Sequence, residues 1–325
     1  REYGKGWQER FAHFEMEPVA AASIGQVHRV TKNNGRELAL KVQYPGVARS
    51  IDSDVNNLAA LLRRIDFLPV SLDVEAIAKE AKRQLRLEAD YVAEAKHLAH
   101  FRKLVSDMPE VLVPGVDREL STRRVLALDW IDGEPLEHLC GEAVAQTRRN
   151  EVARSLYALM FRELFEFRFM QTDPNFANYL YQSDTGRIVL LDFGSTTYFT
   201  KAFTERYARI SRALIDRDEG ATRRYAEEIG YLRPNDSPEH AERVLKVIRL
   251  ACEPICHRGV YDFGASDLIG RARDDGIEML LNSQGEFKAP PPETVFLHRK
   301  LVGSFLACAR IQARVRVLDL ISVYL

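Results

Sequence analysis

The stretch from Gln171 to Gly194, QTDPNFANYLYQSDTGRIVLLDFG, constrains this chain more than any other. It places an acid, Asp173, five residues before a carboxamide, Asn178. A polar turn, Gln182 to Arg187, leads into the apolar run Ile188-Val189-Leu190-Leu191, which reads as a β-strand and stops at Asp192-Phe193-Gly194. Two carboxylates and a carboxamide spaced around a buried strand suit work on a phosphate. One acid can orient an attacking hydroxyl, and the remaining oxygens can hold a divalent cation.

A kinase catalytic loop reads H-R-D-x-x-x-x-N, followed by D-F-G. Asp173, Asn178 and Asp192 reproduce the D-x-x-x-x-N and D-F-G parts, while Gln171-Thr172 stands where His-Arg would be. Either part alone is weak, since Asp-Phe-Gly also serves as a turn after a strand. The pair gains force only from a phosphate-covering loop, a Lys and a helix Glu upstream. Residues 18–30 and 37–42 read as two strands joined by the turn Asn33-Asn34-Gly35. Matching Gly25 and Val27 to the end of a G-x-G-x-x-G-x-V loop puts Ala20 and Ala22 at its first two glycines. Lys41, in LALK, then falls at the lysine position. The plain alternative is an Ala-rich turn and a solvated strand-end Lys. From Asp73 to Leu104 apolar residues recur at helical spacing without Pro or Gly, which predicts one long helix. Glu94 on it is the candidate partner for Lys41, although charged helix residues usually face water and contribute ~0–1 kcal/mol as surface pairs.

Taken together, AAASIGQVH, LALKVQYPGV, EADYVAEA, QTDPNFAN and LLDFG, in this order, resemble the UbiB/AarF family of atypical kinases. The resemblance runs from about Trp7 to about Arg316 and includes the late HRKLVGSFLACARIQA. It implies that Ala20, Ala21, Ala22 and Ser23, with Ile24, Gly25 and Val27, form an Ala-rich nucleotide loop. It implies that Lys41 and Glu94 are the ion pair, that Asp173 is the catalytic Asp, acting as general base, and that Asn178 and Asp192 hold Mg²⁺. Glu88 and Asp90 would be the family's E-x-D motif, which faces an N-terminal K-x-G-Q extension. No K-x-G-Q precedes the Ala-rich loop here, and the chain opens on Arg1 rather than Met, as a fragment would. The resemblance further implies ATP as cofactor, a role in ubiquinone or other prenyl-lipid biosynthesis, and work at a membrane surface. The partners would be a prenyl lipid or quinone precursor and a biosynthetic complex.

The rest of the chain fills in around these parts. Residues 4–14 read as a loop leading into a short amphipathic piece. Val111 to Pro114 and Arg124 to Leu128 read as strands, and Asp129-Trp130-Ile131-Asp132-Gly133 has the character of a hinge, with backbone groups near Asp129 and Ile131 reading adenine. Gly141 to Phe169 predicts a helix that delivers the Asp173 loop. Further helices are expected over 203–216, 219–229, 238–252, 267–281 and 292–318, with Pro290-Pro291-Pro292 as a loop. His298-Arg299-Lys300 lacks a following Asp and sits mid-helix, so a structural role is expected. Only five residues, Ser195 to Phe199, follow Gly194 before the next helix signal, and no A-P-E appears, which argues against ordinary protein phosphorylation. Arg310, Arg314 and Arg316 beside the apolar 318–325 offer either a membrane-docking end or a solvated one.

A net charge of −1 gives no case for nucleic acid, and four Cys in 325 residues make no disulfide framework, which points to a reducing, intracellular compartment. Cys252, Cys256 and His257 lack a second ligand pair and are expected to pack. The expectation is an α+β, protein-kinase-like chain: an antiparallel-sheet lobe over 1–130 with one long helix, and a mostly helical lobe over 131–325. Its work would be Mg²⁺-dependent transfer or hydrolysis of the ATP γ-phosphate. The alternatives are a pseudokinase scaffold without turnover and an authentic protein kinase.

Overall fold

In the computed structural model, the described residues are 2–62, 74–141, 143–274 and 292–325. They form two compact units, Arg1–Gly133 with Leu180–Ser195, and Glu134–Tyr179 with Thr196–Leu325.

The first unit is built on a five-stranded antiparallel sheet. Its strands are β1 (Phe11–Phe14), β2 (Ala20–Ala22), β3 (Gly25–Lys32), β4 (Glu37–Gln43) and, after a short β5 (Val111–Leu112), β6 (Val125–Asp129). β1 and β2 pair with successive parts of β3, and β3, β4 and β6 follow in order. The β3–β4 turn is the expected Asn-Gly one, with Gly35 at φ 84°. The expected first strand is instead split by a second turn at Ser23-Ile24. Side chains alternate across a strand, so Leu38 and Leu40 turn into a core with Phe11, Val30, Val125 and Ala127. Lys41, between Leu40 and Val42, points to the opposite face. Residues 4–14 are ordered rather than a loop. Trp7–Arg10 makes a 3₁₀ turn, and Trp7 and Phe11 meet Phe14 edge-on at 4.9 and 5.5 Å.

Three helices accompany the sheet: α1 (Val47–Leu62), α2 (Val74–Glu88) and α3 (Tyr91–Leu104). The single helix expected over 73–104 is therefore two, with Asp73 outside the described residues. The break has a local cause. The Asp90 carboxylate accepts the Ala93 N–H at 3.0 Å and caps α3, and Gln43 Nε2 donates to Ala89 O at 2.7 Å. α1 was not expected, although Ile51, Val55 and Ala59 line its buried face at four-residue spacing. It packs on α2, with Arg86 on Asp52 at 2.7 Å.

The boundary expected at 130/131 leaves out one exchange. The strand Arg187–Leu190 pairs in parallel with β5, Ile188 opposite Val111 and Val189 opposite Leu112. That pairing draws residues 180–195, and with them Asp192, into the first unit.

The second unit is mostly helical. α4 (Gln146–Phe161) runs into a π-helical turn, Arg162–Phe167, and ends at Arg168 with φ 52°. A strand Phe169–Gln171 comes next, so the helix stops before Thr172-Asp173-Pro174 rather than being broken by it. Thr196–Tyr198 pairs antiparallel with that strand, and α5 (Lys201–Ile215) starts immediately after Thr200, whose hydroxyl caps it. α6 (Glu219–Ile229) and α7 (Pro238–Ala251) complete this run of helices. Residues 268–274 are helical, and the remainder of the helix expected to 281, with Pro290 and Pro291, lies outside the described residues. The last long helix spans Pro292–Arg310, not 292–318. The chain turns at Gln312 (φ 53°), forms the strand Arg314–Val315 against Tyr261–Asp262, and closes with a short helix, Val317–Ile321. No described helix is long and apolar enough to cross a membrane.

One pH dependence arises from this packing. His298 is mostly buried, stacks on Tyr231 at 5.7 Å and has its Nε2 2.6 Å from the Tyr231 hydroxyl. Burial pushes its pKa down to about 4. The unfolded imidazole therefore takes up a proton near pH 6.5, and the folded one does not until about pH 4. The stability this residue contributes is complete above 6.5 and is lost as pH falls through that window, by at most ~3 kcal/mol. His298→Gln, which keeps a hydrogen-bonding group for Tyr231, is expected to melt with a flatter dependence between pH 7.5 and 5 than the parent chain. Parallel melting curves across that range would show that His298 does not control it.

Candidate active site

In the first unit, Lys41, Glu94 and Asp192 come together. Lys41 reaches across the sheet face to α3. Its Nζ lies 2.9 and 3.3 Å from the Glu94 carboxylate oxygens and 2.8 Å from Asp192 Oδ2. Glu94 is in the first turn of α3, placed there by the Asp90 cap, and is 1% exposed. Burial pushes its carboxyl up to about 7 against the pull of Lys41. For Lys41 burial works against the charge, but the two carboxylates outweigh it and the pKa rises. One ammonium thus serves two carboxylates, which favours its charge. The Tyr91 ring lies 5.2 Å from the same ammonium.

Asp192 is held through the next two residues of the chain. Its Oδ1 accepts the Gly194 N–H at 2.9 Å, and Phe193, fully buried, packs on Phe101 of α3 at 4.8 Å. The C-terminal end of α2 passes beside Gly194, where an added Cβ would sit 3.6 Å from Glu88 Cα. Of the E-x-D pair, Asp90 is the helix cap described above and Glu88 is the residue next to Gly194.

The Ala-rich stretch is tighter than a free loop. Ala20, Ala21 and Ala22 are in register with Val27, Gln26 and Gly25, which leaves Ser23 and Ile24 as the turn. Ile24 is buried and its carbonyl accepts the Tyr44 N–H at 3.0 Å. Gly25 is required by close approach, since a Cβ there would lie 2.2 Å from Val42 O. At the hinge, the Asp129 N–H is bonded to Gly115 O at 2.8 Å and the Trp130 N–H to Glu37 O at 3.1 Å. The Asp129 carboxylate accepts from Gly115 N and Arg36, so that side chain fixes the strand end. Trp130 stacks under Arg29 at 4.6 Å.

In the second unit, Asn178 Nδ2 donates to Asp173 Oδ2 at 2.7 Å, which leaves Asn178 Oδ1 as the atom able to bind a cation. Arg299 Nη2 donates to the other Asp173 oxygen at 2.5 Å. Below them Gln171 takes the place of the missing His-Arg: its N–H donates to Glu163 Oε1 at 3.0 Å and its amide to Asp173 O at 2.5 Å. Lys300, fully buried, lies 3.1 Å from Gln171 Oε1, 3.4 Å from Tyr179 OH and 3.2 Å from Glu163 Oε2. Burial pushes the Glu163 carboxyl up while Lys300 draws it back. Gly303, one turn on, admits Pro174: a Cβ there would fall 2.0 Å from the ring. Arg310 covers Phe176 at 5.2 Å. The last long helix therefore braces the Asp173 loop, with Arg299 on the Asp173 carboxylate. Sequence reasoning missed Glu163, Lys300 and Gly303. The one available signal was a basic pair, Arg299-Lys300, on an otherwise apolar stretch.

The three arginines at this end of the chain each meet an acid and stay more than half exposed. Arg310 pairs with Glu137 at 3.8 Å, Arg314 with Asp262 at 2.8 Å and Arg316 with Asp319 at 2.6 Å, and Val315, Val317 and Ile321 are buried. Cys140, Cys252, Cys256 and Cys308 are all free thiols. Among the described residues no three His, Cys, Asp or Glu side chains gather as a metal site.

A model of the ABC1 atypical kinase-like domain matches residues 1–226. The chain belongs to that family. Relatives share its sequence over nearly its whole length. The "Atypical kinase COQ8B, mitochondrial" of Rattus norvegicus is 41% identical over 98% of this chain and 60% of that protein. The "Atypical kinase COQ8, mitochondrial" of Schizosaccharomyces pombe is 38% identical over 98% of this chain and 52% of that protein. This ABC1-family chain thus spans about half to three-fifths of the length of these relatives. A solved structure, Rv3197 with erythromycin from Mycobacterium tuberculosis, has the same fold, with a TM-score of 0.76 and 24% identity over all of this chain and 80% of that one. The kinase-like fold expected from the motifs is therefore the fold of the chain.

Proposed function

We propose that this ABC1-family chain is an atypical kinase that binds ATP with Mg²⁺ and transfers or hydrolyses its γ-phosphate. The observation that carries the reading is Lys41 held between Glu94 and Asp192, which keeps a full positive charge ready for a polyphosphate. In this reading Lys41 meets the α/β-phosphates and Glu94 orients it. The backbone of Ser23 and Ile24, with Ala20–Ala22, Gly25 and Val27 shaping the hairpin, covers the phosphates. With the Asp129 N–H already bonded, adenine contact falls to the Asp129 carbonyl and to Ile131.

Mg²⁺ favours oxygen donors and is commonly bound by one or two carboxylates together with waters and substrate phosphates. Asp192, with a second lone pair on each oxygen, and the Oδ1 of Asn178 suit such a role. Asp173, bonded to Arg299 and Asn178, is the acid that orients the acceptor hydroxyl. The COQ8 names of the relatives support a place in ubiquinone or other prenyl-lipid biosynthesis. A prenyl lipid or quinone precursor and a biosynthetic complex would then be the partners, peripheral to a mitochondrial or similar membrane. The short Thr196–Tyr198 strand disfavours a protein-kinase platform, and the filled Asp173, Asn178 and Asp192 positions disfavour a scaffold without turnover.

The test is thermal unfolding with ADP or ATP, with and without Mg²⁺. Ligand at 100 times its dissociation constant should stabilise the chain by ~2.7 kcal/mol. Absence of any shift with either nucleotide would remove the enzymatic reading.

A further inference from the structure

A cavity of about 710 Å³ opens within the second unit, in the range of small-molecule sites. Leu214, Leu245 and Leu250 supply its apolar wall. Arg217, Lys246, Arg249 and Arg271 line it against two carboxylates, Glu219 and Glu253. Glu253 is already engaged by Arg271 at 2.7 Å and by the Tyr261 hydroxyl at 2.7 Å, and Arg249 also pairs with Glu242 outside the cavity. Arg217 differs from these. Among the described residues no carboxylate pairs with it; its side chain is exposed at the cavity, and its charge acts on the Cys256 thiol. Burial pushes that thiol up to about 11 while Arg217 draws it back. Cys256 and His257, which the sequence leaves without a second ligand pair, line the same cavity.

The backbone at Arg217 gives a second, independent observation. α5 ends in a Schellman turn: the Asp218 N–H bonds Ala213 O at 2.9 Å and the Arg217 N–H bonds Leu214 O at 3.2 Å. Arg217 holds the left-handed position, at φ 59°. Glycine is the favoured residue there, because a side chain is strained in that conformation. The next helix, α6, ends on Gly230 at φ 97°, as the rule expects. At the end of α5 an arginine stands there instead, as Arg168 and Gln312 do at two other helix ends, with its exposed side chain at the mouth of the mixed-charge cavity. Strained backbone of this kind collects at ligand sites.

We propose that this cavity is a binding site for an anionic amphiphile: a carboxylate or phosphate head on an apolar body, with Arg217 as the head-group ligand. The proposal goes beyond the nucleotide reading and does not depend on it. The experiment is calorimetric titration of the full chain with octyl phosphate, octanoate, octanol and inorganic phosphate. One of the two anionic amphiphiles is expected to bind at least tenfold tighter than both octanol and inorganic phosphate, and the tighter of the two identifies the head. Arg217→Gly is expected to melt at or above the parent temperature, since it relieves the strained position. It should lose at least tenfold in that affinity and keep any nucleotide-dependent melting shift. Arg249→Glu, which turns a lining cation into an acid, should weaken the same ligand. Equal affinity in Arg217→Gly and the parent would overturn the proposal. So would octanol binding as tightly as the anions, or no binding by either anion.

Discussion

Asp192→Asn is expected to abolish the Mg²⁺-dependent part of nucleotide stabilisation and to lower any ATP turnover by roughly 10²–10³-fold, the scale of losing ~3–4 kcal/mol of electrostatic stabilisation. The substitution is gentle on the fold. An amide oxygen can still accept the Gly194 N–H, Phe193 keeps its place on Phe101, and Lys41 keeps Glu94. The loss is the charge that offers oxygen to a hard cation, and with it the second anion on the Lys41 ammonium. The measurement is paired melting with ADP, with and without Mg²⁺, beside a phosphate-release assay. An unchanged Mg²⁺ effect in the variant would show that the cation is held elsewhere.

Lys300→Met is expected to destabilise the chain by ~3–5 kcal/mol, the cost of leaving a buried partner charge uncompensated. Glu163 is fully buried, and Lys300 is its cation. The loss should reach the site, because Glu163 and Lys300 both hold Gln171, and Gln171 holds the Asp173 carbonyl. Adding Glu163→Gln should restore much of the stability. A glutamine keeps an acceptor for the Gln171 N–H and removes the stranded charge. Denaturant melts of both single variants and the double variant give the coupling. A Lys300→Met cost under ~1 kcal/mol would mean that the pair contributes little.

The sequence made the site legible wherever chemistry and local pattern coincide. The alternation of Leu38, Leu40 and Val42 leaves Lys41 on the other face, and a Glu one turn into the following helix is a short step from there. The helix break at Ala89-Asp90 was written in the capping acid, yet the apolar spacing runs through it and hid it. Asp192 was legible as a residue, but its membership in the first unit depends on the pairing of Ile188 with Val111, a contact between distant segments that no local signal carries. The bracing of Asp173 was the least legible part. A missing His-Arg at 171–172 reads as a defect until Arg299, 126 residues away, is seen on the same carboxylate. Lys300 and Gly303 share that distance problem, since their partners Glu163 and Pro174 are not recognisable from spacing.

That bracing has a consequence for how the protein is made. The family match ends at residue 226, but the groups that hold the Asp173 loop lie at 299–310. At ~5–20 residues per second of synthesis, the ribosome needs roughly 6–25 seconds to travel from Asp173 to Arg299. For that interval Glu163 waits without its cation and Pro174 without its seat on Gly303. The nascent chain can complete its sheet, with Lys41 and Glu94 in place, well before the loop bearing Asp173 is locked. Nucleotide capture and phosphoryl chemistry would then mature at different moments in the life of a single molecule.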